Sequence, residues 1–216
     1  MKNLIYKELK LVIPPIAYTT PLLAGFLLIP NYTYFIGFVY CLVGIYTIFQ
    51  KAVENKDHEF TAMLPISRNH IVKAKFSNVM LMELLQMLIA IPFALITSIL
   101  ITPAGTVAGT DANFALFGFV FMEFAVFNII FLPSHFKTGH NVDAPMVLAG
   151  IGYFVSIGLI ELIVNLVPTI KRHIDSLSPE NFVYQIPILA AGILIYIGGT
   201  LLSYRLSIKN FNKANL

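Results

Sequence analysis

Forty consecutive residues, Leu11 to Gln50, contain no Asp, Glu, Lys or Arg, and only Pro30-Asn31 breaks the run. A water-soluble domain has no use for so long an uncharged surface, whereas two antiparallel membrane helices of about 20 residues each need this length. The rest of the chain agrees. Of 216 residues, 57% are hydrophobic and 12% charged, with a mean hydropathy of +0.80, against about 25% charged in ordinary soluble domains. The expected fold is an all-α membrane protein forming one transmembrane domain over 1–216. Met1-Lys2-Asn3 leads into a charged amphipathic piece with no small-residue cleavage site after it, so the spans are expected to be retained.

Runs of low charge between polar loops predict six spans, at about 11–29, 32–50, 76–101, 113–133, 145–167 and 185–204. Cations set their direction, because Lys and Arg accumulate in cytoplasmic loops. With the N-terminus inside, the inner segments hold twelve of the 14 Lys and Arg residues, and the outer loops hold only Lys171 and Arg172. Both termini are therefore expected in the cytoplasm. Interfacial cations beside anionic lipid also account for the net charge of +3, so no nucleic-acid partner is expected.

Before the first span, Met1, Leu4, Ile5, Leu9, Val12 and Ile13 recur at helical spacing, with Lys2, Asn3, Lys7, Glu8 and Lys10 on the other side. This predicts an amphipathic helix over 1–13 lying on the membrane. Pro14-Pro15 then removes backbone donors and forces a bend into the span.

The longest polar segment, 51–75, is patterned. Val53, Phe60, Met63 and Leu64 share one helical face, Glu54, Lys56, Asp57 and Glu59 fall mostly on another, and Pro65 ends the turn. A helix restarts after it, with Ser67 placed to cap and Ile66 placed to pack on Ile71. Periodicity alone leaves two readings open: a solvated connection whose apolar residues touch the bilayer, or a short helix with a docking edge.

The run Glu54-Asn55-Lys56-Asp57, continued by Met63-Leu64-Pro65-Ile66-Ser67-Arg68 and Ile71-Val72-Lys73-Ala74-Lys75-Phe76, resembles the loop of small six-span permease subunits of ATP-binding-cassette exporters. In that family a leucine-proline-hydrophobic-serine-arginine step precedes an isoleucine-valine-x-x-lysine helix. A second similarity is Leu132-Pro133-Ser134-His135-Phe136-Lys137-Thr138-Gly139; Asn141-Val142-Asp143 departs from the basic residues that members often carry there.

The resemblance implies an elbow helix at the N-terminus and a coupling helix at 54–64, with Glu54, Asp57, Glu59, Phe60, Met63, Leu64 and Pro65 forming the contact with an ATPase subunit. It further implies a second cytoplasmic contact at His135, Phe136 and Lys137, and short extracellular helices at 168–180. The implied assembly sits in a bacterial plasma membrane. It pairs two copies of the chain, or this chain and a related permease, with two ATPase subunits that hold ATP and Mg. Its cargo would be amphipathic or hydrophobic, of the toxin or antimicrobial peptide type or lipid-like.

The chain itself carries no G-x-x-x-x-G-K-[ST] phosphate loop, and its polar segments are too short for a nucleotide-binding domain. It is read as a transport subunit and not an enzyme, with no cofactor of its own.

Glu83, Glu123 and Glu161 fall inside predicted spans. A charged side chain at the bilayer centre costs roughly 2.5–3.5 kcal/mol on insertion scales, so it faces a cavity, a partner or a neighbouring span. Helical spacing offers Gln86 to Glu83 and Asn165 to Glu161. The three acids either line a translocation path or are hydrogen-bonded packing groups.

Other residues carry less. Cys41 lies in an apolar run and reads as a small packed residue. The five histidines read as solvated loop residues, and His135 and His140 lack the H-E-x-x-H pattern, so no metal site is expected. Gly25, Gly37, Gly44, Gly192, Gly198 and Gly199 are placed to permit close helix approach.

Two other classes remain. The substrate-binding subunit of a vitamin importer also has six spans, and would need a polar outer pocket for which only Asp111, Asn113 and 168–183 are available. An intramembrane hydrolase would need paired glutamates and histidines at membrane depth.

Overall fold

Proline and apolar periodicity divide the chain into helices, and the computed structural model describes residues 2–57, 61, 67–103, 105–106, 109–138 and 141–213. Five helices are long and apolar enough to cross a membrane. They are α2 (Phe35–Glu54), α3 (Arg68–Ile96, prolonged by wider turns to Ile101), α4 (Phe114–Thr138), α5 (Asp143–Leu166) and α7 (Phe182–Lys213). Two short helices, α1 (Lys2–Lys7) and α6 (Pro168–Ile174), lie outside this set. No β-strand occurs among the described residues.

The first apolar segment takes another form. Pro15–Leu28 is a 14-residue 3-10 helix with Pro15 in its first turn and Pro21 inside it. Such runs rarely exceed a few residues, and they rise about 2.0 Å per residue, so this one is about 28 Å long. An α-helix of the same length would reach only about 21 Å. The expected span 11–29 is met by this shorter apolar helix, which is not among the five helices long and apolar enough to cross a membrane; its length compares with a hydrocarbon core of about 30 Å. Asn31, at φ 57, turns the chain back into α2; asparagine tolerates this left-handed conformation better than most residues.

The helices assemble as two groups. The 3-10 helix packs on α2 and α3, α4 packs on α5 and most extensively on α7, and α3 against α7 joins the groups. Glycines set the closest crossings. A Cβ on Gly192 would lie 2.1 Å from the carbonyl oxygen of Gly118, and one on Gly44 would lie 2.2 Å from Thr20 Oγ1. Gly198 has nothing within 4 Å and serves no such approach, while Gly118, not singled out by the sequence reading, does.

One end of the bundle gathers the termini and the polar connections. Arg68 Nη1 donates to the carbonyl of Phe211 at 3.1 Å, Tyr46 OH to Asp143 Oδ1 at 2.7 Å, and Lys75 Nζ reaches Glu8 Oε2 at 2.9 Å. The chain ends therefore lie on the same side, opposite the segment with Lys171 and Arg172.

Candidate functional site

At the end of α2 the chain turns instead of continuing. Asn55 and Lys56 close the helix with backbone bonds to Lys51 and Val53, and Lys56 takes φ 50. For a residue with a Cβ this conformation costs on the order of 1–3 kcal/mol. The turn swings Asp57 under the start of α3, while Glu54 stays exposed beside Lys51. Glu59, Phe60, Met63, Leu64 and Pro65 lie outside the described residues.

Asp57 enters a buried charge cluster. Lys75 on α3 is wholly buried and donates to Asp57 Oδ2 at 2.7 Å while contacting Glu8 Oε2 at 2.9 Å. Lys7 also donates to Asp57 and, at 2.8 Å, to Thr61, and Asn78 Nδ2 donates to Glu8 Oε2 at 3.0 Å. Two cations and two carboxylates thereby tie the N-terminal segment, the turn after α2 and the base of α3 into one unit. Burial alone would raise the Asp57 carboxyl, but Lys75 and Lys7 outweigh it and hold it below the ordinary carboxylate range. Burial also corrects the reading of the N-terminal segment. Its hydrophobic Leu4, Val12 and Ile13 are buried within the protein, and so is Glu8, a residue of the expected polar side.

Ser67 stands at the start of α3 without a side-chain cap to the backbone; its hydroxyl lies 2.9 Å from His70 Nδ1. The expected staple involves Ile66, outside the described residues.

The second contact region is also corrected. Helix α4 runs on through Pro133 to Thr138, so His135 and Phe136 are helical and fully buried. The His135 ring stacks edge-on to Phe49, with centroids 4.8 Å apart, and its Nδ1 lies 3.1 Å from the carbonyl of Asn141. It is not a solvated loop residue. Of this trio only Lys137 is exposed.

The glutamates at membrane depth have separate partners. Glu83 is wholly buried, and its Oε2 accepts from Tyr196 OH at 2.7 Å and Asn128 Nδ2 at 3.1 Å. The expected Gln86 partner instead donates to the carbonyl of Gly37 at 2.8 Å. Glu123 is fully buried and accepts from Ser156 on α5. Glu161 has its predicted neighbour, accepting from Asn165 Nδ2 at 3.2 Å, and also from the backbone of Thr110 at 3.1 Å. One oxygen each of Glu83 and Glu123 has no partner among the described residues. The three acids are not brought into one cluster.

Sequence reasoning missed Lys7, Glu8 and Lys75 as members of the charge cluster, and Tyr196 and Asn128 as partners of Glu83. A signal existed for part of this. Lys75, Asn78 and Gln86 fall within one narrow face of α3 together with Met82 and Val79, and that face is buried.

The geometry defines a helical, multi-pass membrane protein without a recognisable catalytic constellation among its described residues, and with its charge organised at the end that carries the termini. Residues 3–212 match the family model of the ABC-2 family transporter proteins, nearly the whole chain, and the chain belongs to that family of membrane-spanning transporter subunits. Transporters of this kind generally work with an ABC ATPase. No curated protein and no solved structure matches the chain.

Proposed function

We propose that the chain is the permease subunit of an ATP-driven exporter that moves an amphipathic or hydrophobic cargo, a peptide of the phenol-soluble modulin type, out of a bacterial cell. The observation that carries the reading is the family match over 3–212. In this reading the 3-10 helix Pro15–Leu28 is the first of six spans, its extra rise compensating for its short sequence. Both termini face the cytoplasm, in keeping with the twelve cations on that side. Two copies pair with two ATPase subunits that hold ATP and Mg, and the ATPase grips the segment 54–65. Nucleotide binding in the partner supplies the differential free energy that shifts the permease between inward-open and outward-open arrangements.

Glu123, Glu83 and Glu161 are candidate path residues in the assembled dimer, and Lys137 is the remaining exposed member of the second contact. Co-expression of this chain with the ABC ATPases of its own organism tests the proposal. A complex of two permeases and two ATPases, with ATP-dependent uptake of an amphipathic peptide into inverted vesicles, is the expected result. A chain that never associates with an ATPase, or that transports without ATP, would overturn it.

A further inference from the structure

Glu83 stands where the two helix groups meet. From α3, its Oε2 accepts from Tyr196 OH on α7 at 2.7 Å and from Asn128 Nδ2 on α4 at 3.1 Å, so one oxygen gathers donors from both helices across the seam. Asn128 Nδ2 is also shared with Thr200 Oγ1 at 3.4 Å, and Ser203 Oγ donates to the Asn128 carbonyl at 2.5 Å. Glu83, Asn128 and Ser203 are wholly buried.

The two carboxyl oxygens are used unequally. Oε2 accepts twice, whereas Oε1 has no partner among the described residues, and neither has the neighbouring acceptor Asn128 Oδ1. A buried ionised carboxylate is stable only when a cation or donors on both oxygens replace its water. Here the donors serve one oxygen alone.

No cation makes up the difference. The titratable groups near enough to feel the charge of Glu83 are Tyr196 on α7, Cys41 on α2 and Tyr153 on α5. Glu123 on α4 reaches Tyr153 as well, but its own bond is to Ser156. The 3-10 helix carries one titratable residue, Tyr18, which donates to the carbonyl of Leu9. Lys75, the buried cation of α3, lies eight residues or about 12 Å along the helix. It is committed to Asp57 and Glu8, with Lys7 in the same cluster.

An unionised acid fits this setting. A proton on Oε1 removes the charge and leaves Oε2 as the carbonyl oxygen that accepts from Tyr196 and Asn128. Ionisation would instead demand water at Oε1, and water enters only if α3 parts from α4 and α7.

We propose that Glu83 binds a proton inside the bundle and that this proton clasps the two helix groups: the neutral acid closes the seam, and its loss to entering water opens it. The closed form holds the proton and the open form releases it, so falling pH favours closure and rising pH favours opening. The clasp belongs to this chain alone and does not rest on the transport reading.

The test uses the full chain in phosphatidylcholine nanodiscs. Infrared difference spectra at pH 6, wild type minus Glu83→Gln, should contain the carbonyl band of one protonated carboxylic acid. Tyr196→Phe removes a donor from that carbonyl oxygen, so it should move the band to higher frequency at unchanged area. This second arm assigns the band whether or not Glu83→Gln folds. Absence of the band, or a band indifferent to Tyr196→Phe, overturns the proton site.

Cys41, the single cysteine of the chain and wholly buried, reports on the seam. A water-soluble maleimide should label it at equal rates in wild type and Glu83→Gln at pH 6, and at least about tenfold faster in wild type at pH 9. Comparison at one pH cancels the ionisation of the thiol itself. Equal rates at both pH values overturn the clasp, as does faster labelling of Glu83→Gln at pH 6.

Discussion

Lys75, wholly buried at the base of α3, donates to Asp57 across 2.7 Å and so anchors the turn after α2 to the helix that follows it. Removing one partner of a buried pair leaves an uncompensated charge and typically costs about 3–5 kcal/mol. Lys75→Met leaves Glu8 and Asp57 to share Lys7, and should lower the unfolding midpoint in detergent sharply. The double change Asp57→Asn with Lys75→Met should recover part of that loss. On the proposed function, Asp57→Asn should keep the ATPase bound while reducing peptide uptake per ATP, because the turn no longer moves with α3. Unchanged coupling would show that the cluster is structural only.

The two ends of the molecule should respond to pH with opposite signs. The folded Asp57 carboxyl sits below its ordinary value, so its contribution is complete above about pH 4 and is lost only as pH falls through the lowered folded value. Asp111 is the reverse: burial pushes it up to about 6, with Asp175 adding to the rise and the Thr106 backbone and Lys171 opposing it. Between its unfolded value near 4 and the folded value the native loop binds the extra proton, so the loop around Asp111 gains stability as pH falls through 6. Hydrogen exchange at 109–113, corrected for the intrinsic rate, should slow between pH 7.5 and 5. Asp111→Asn should weaken that dependence and leave the part due to Asp175, which burial also pushes up and which accepts from the backbone of residue 111.

Five of the expected spans were legible because hydropathy reports burial in lipid directly: α2, α3, α4, α5 and α7 each overlap an expected segment over most of its length. The form of the first apolar segment was not, since α and 3-10 helices are built from the same apolar residues and differ in rise and hydrogen-bond register. Side-chain partners were harder still. Glu83 pairs with Tyr196, 113 residues on in the chain, and not with nearby Gln86, because pairing across helices depends on rotation about the helix axis, which an isolated sequence does not reveal. Pro133 misled the reading of His135: a proline late in a helix suggests its end, yet α4 continues and buries the ring. The buried stripe of Lys75, Asn78 and Gln86 was readable as a polar face, but its partners on the N-terminal segment lie about 70 residues away in the chain for Glu8 and Asn78.

Gly192 and Gly118 mark the closest crossing of α4 and α7, and nothing there can yield to a methyl group, because the opposing atoms are backbone. Gly192→Ala should push the helices apart and cost about 1–3 kcal/mol or more. Gly198→Ala, with open space around it, should be neutral or stabilising by up to about 1 kcal/mol, since alanine is the better helix former. Thermal midpoints of the two variants in the same detergent check the contrast; equal midpoints would mean that the crossing is not as close as described.

Glu83 and Glu123 should separate under the same conservative change. Glu83 accepts two hydrogen bonds on one oxygen, from Tyr196 and Asn128, so Tyr196→Phe removes a donor inside the bundle and should cost about 1–3 kcal/mol. Glu83→Gln keeps an acceptor for both donors and should be milder. Glu123→Gln likewise keeps an acceptor for Ser156, so the unfolding midpoint should move by less than about 1 kcal/mol equivalent. On the path-lining reading, however, its negative charge attracts cationic cargo, and peptide uptake should fall several-fold with the ATPase still bound. Uptake of a lysine-rich peptide should fall more than that of an uncharged one. If both are carried as well as by the wild type, Glu123 is a packing group that bonds Ser156 and has no part in the path.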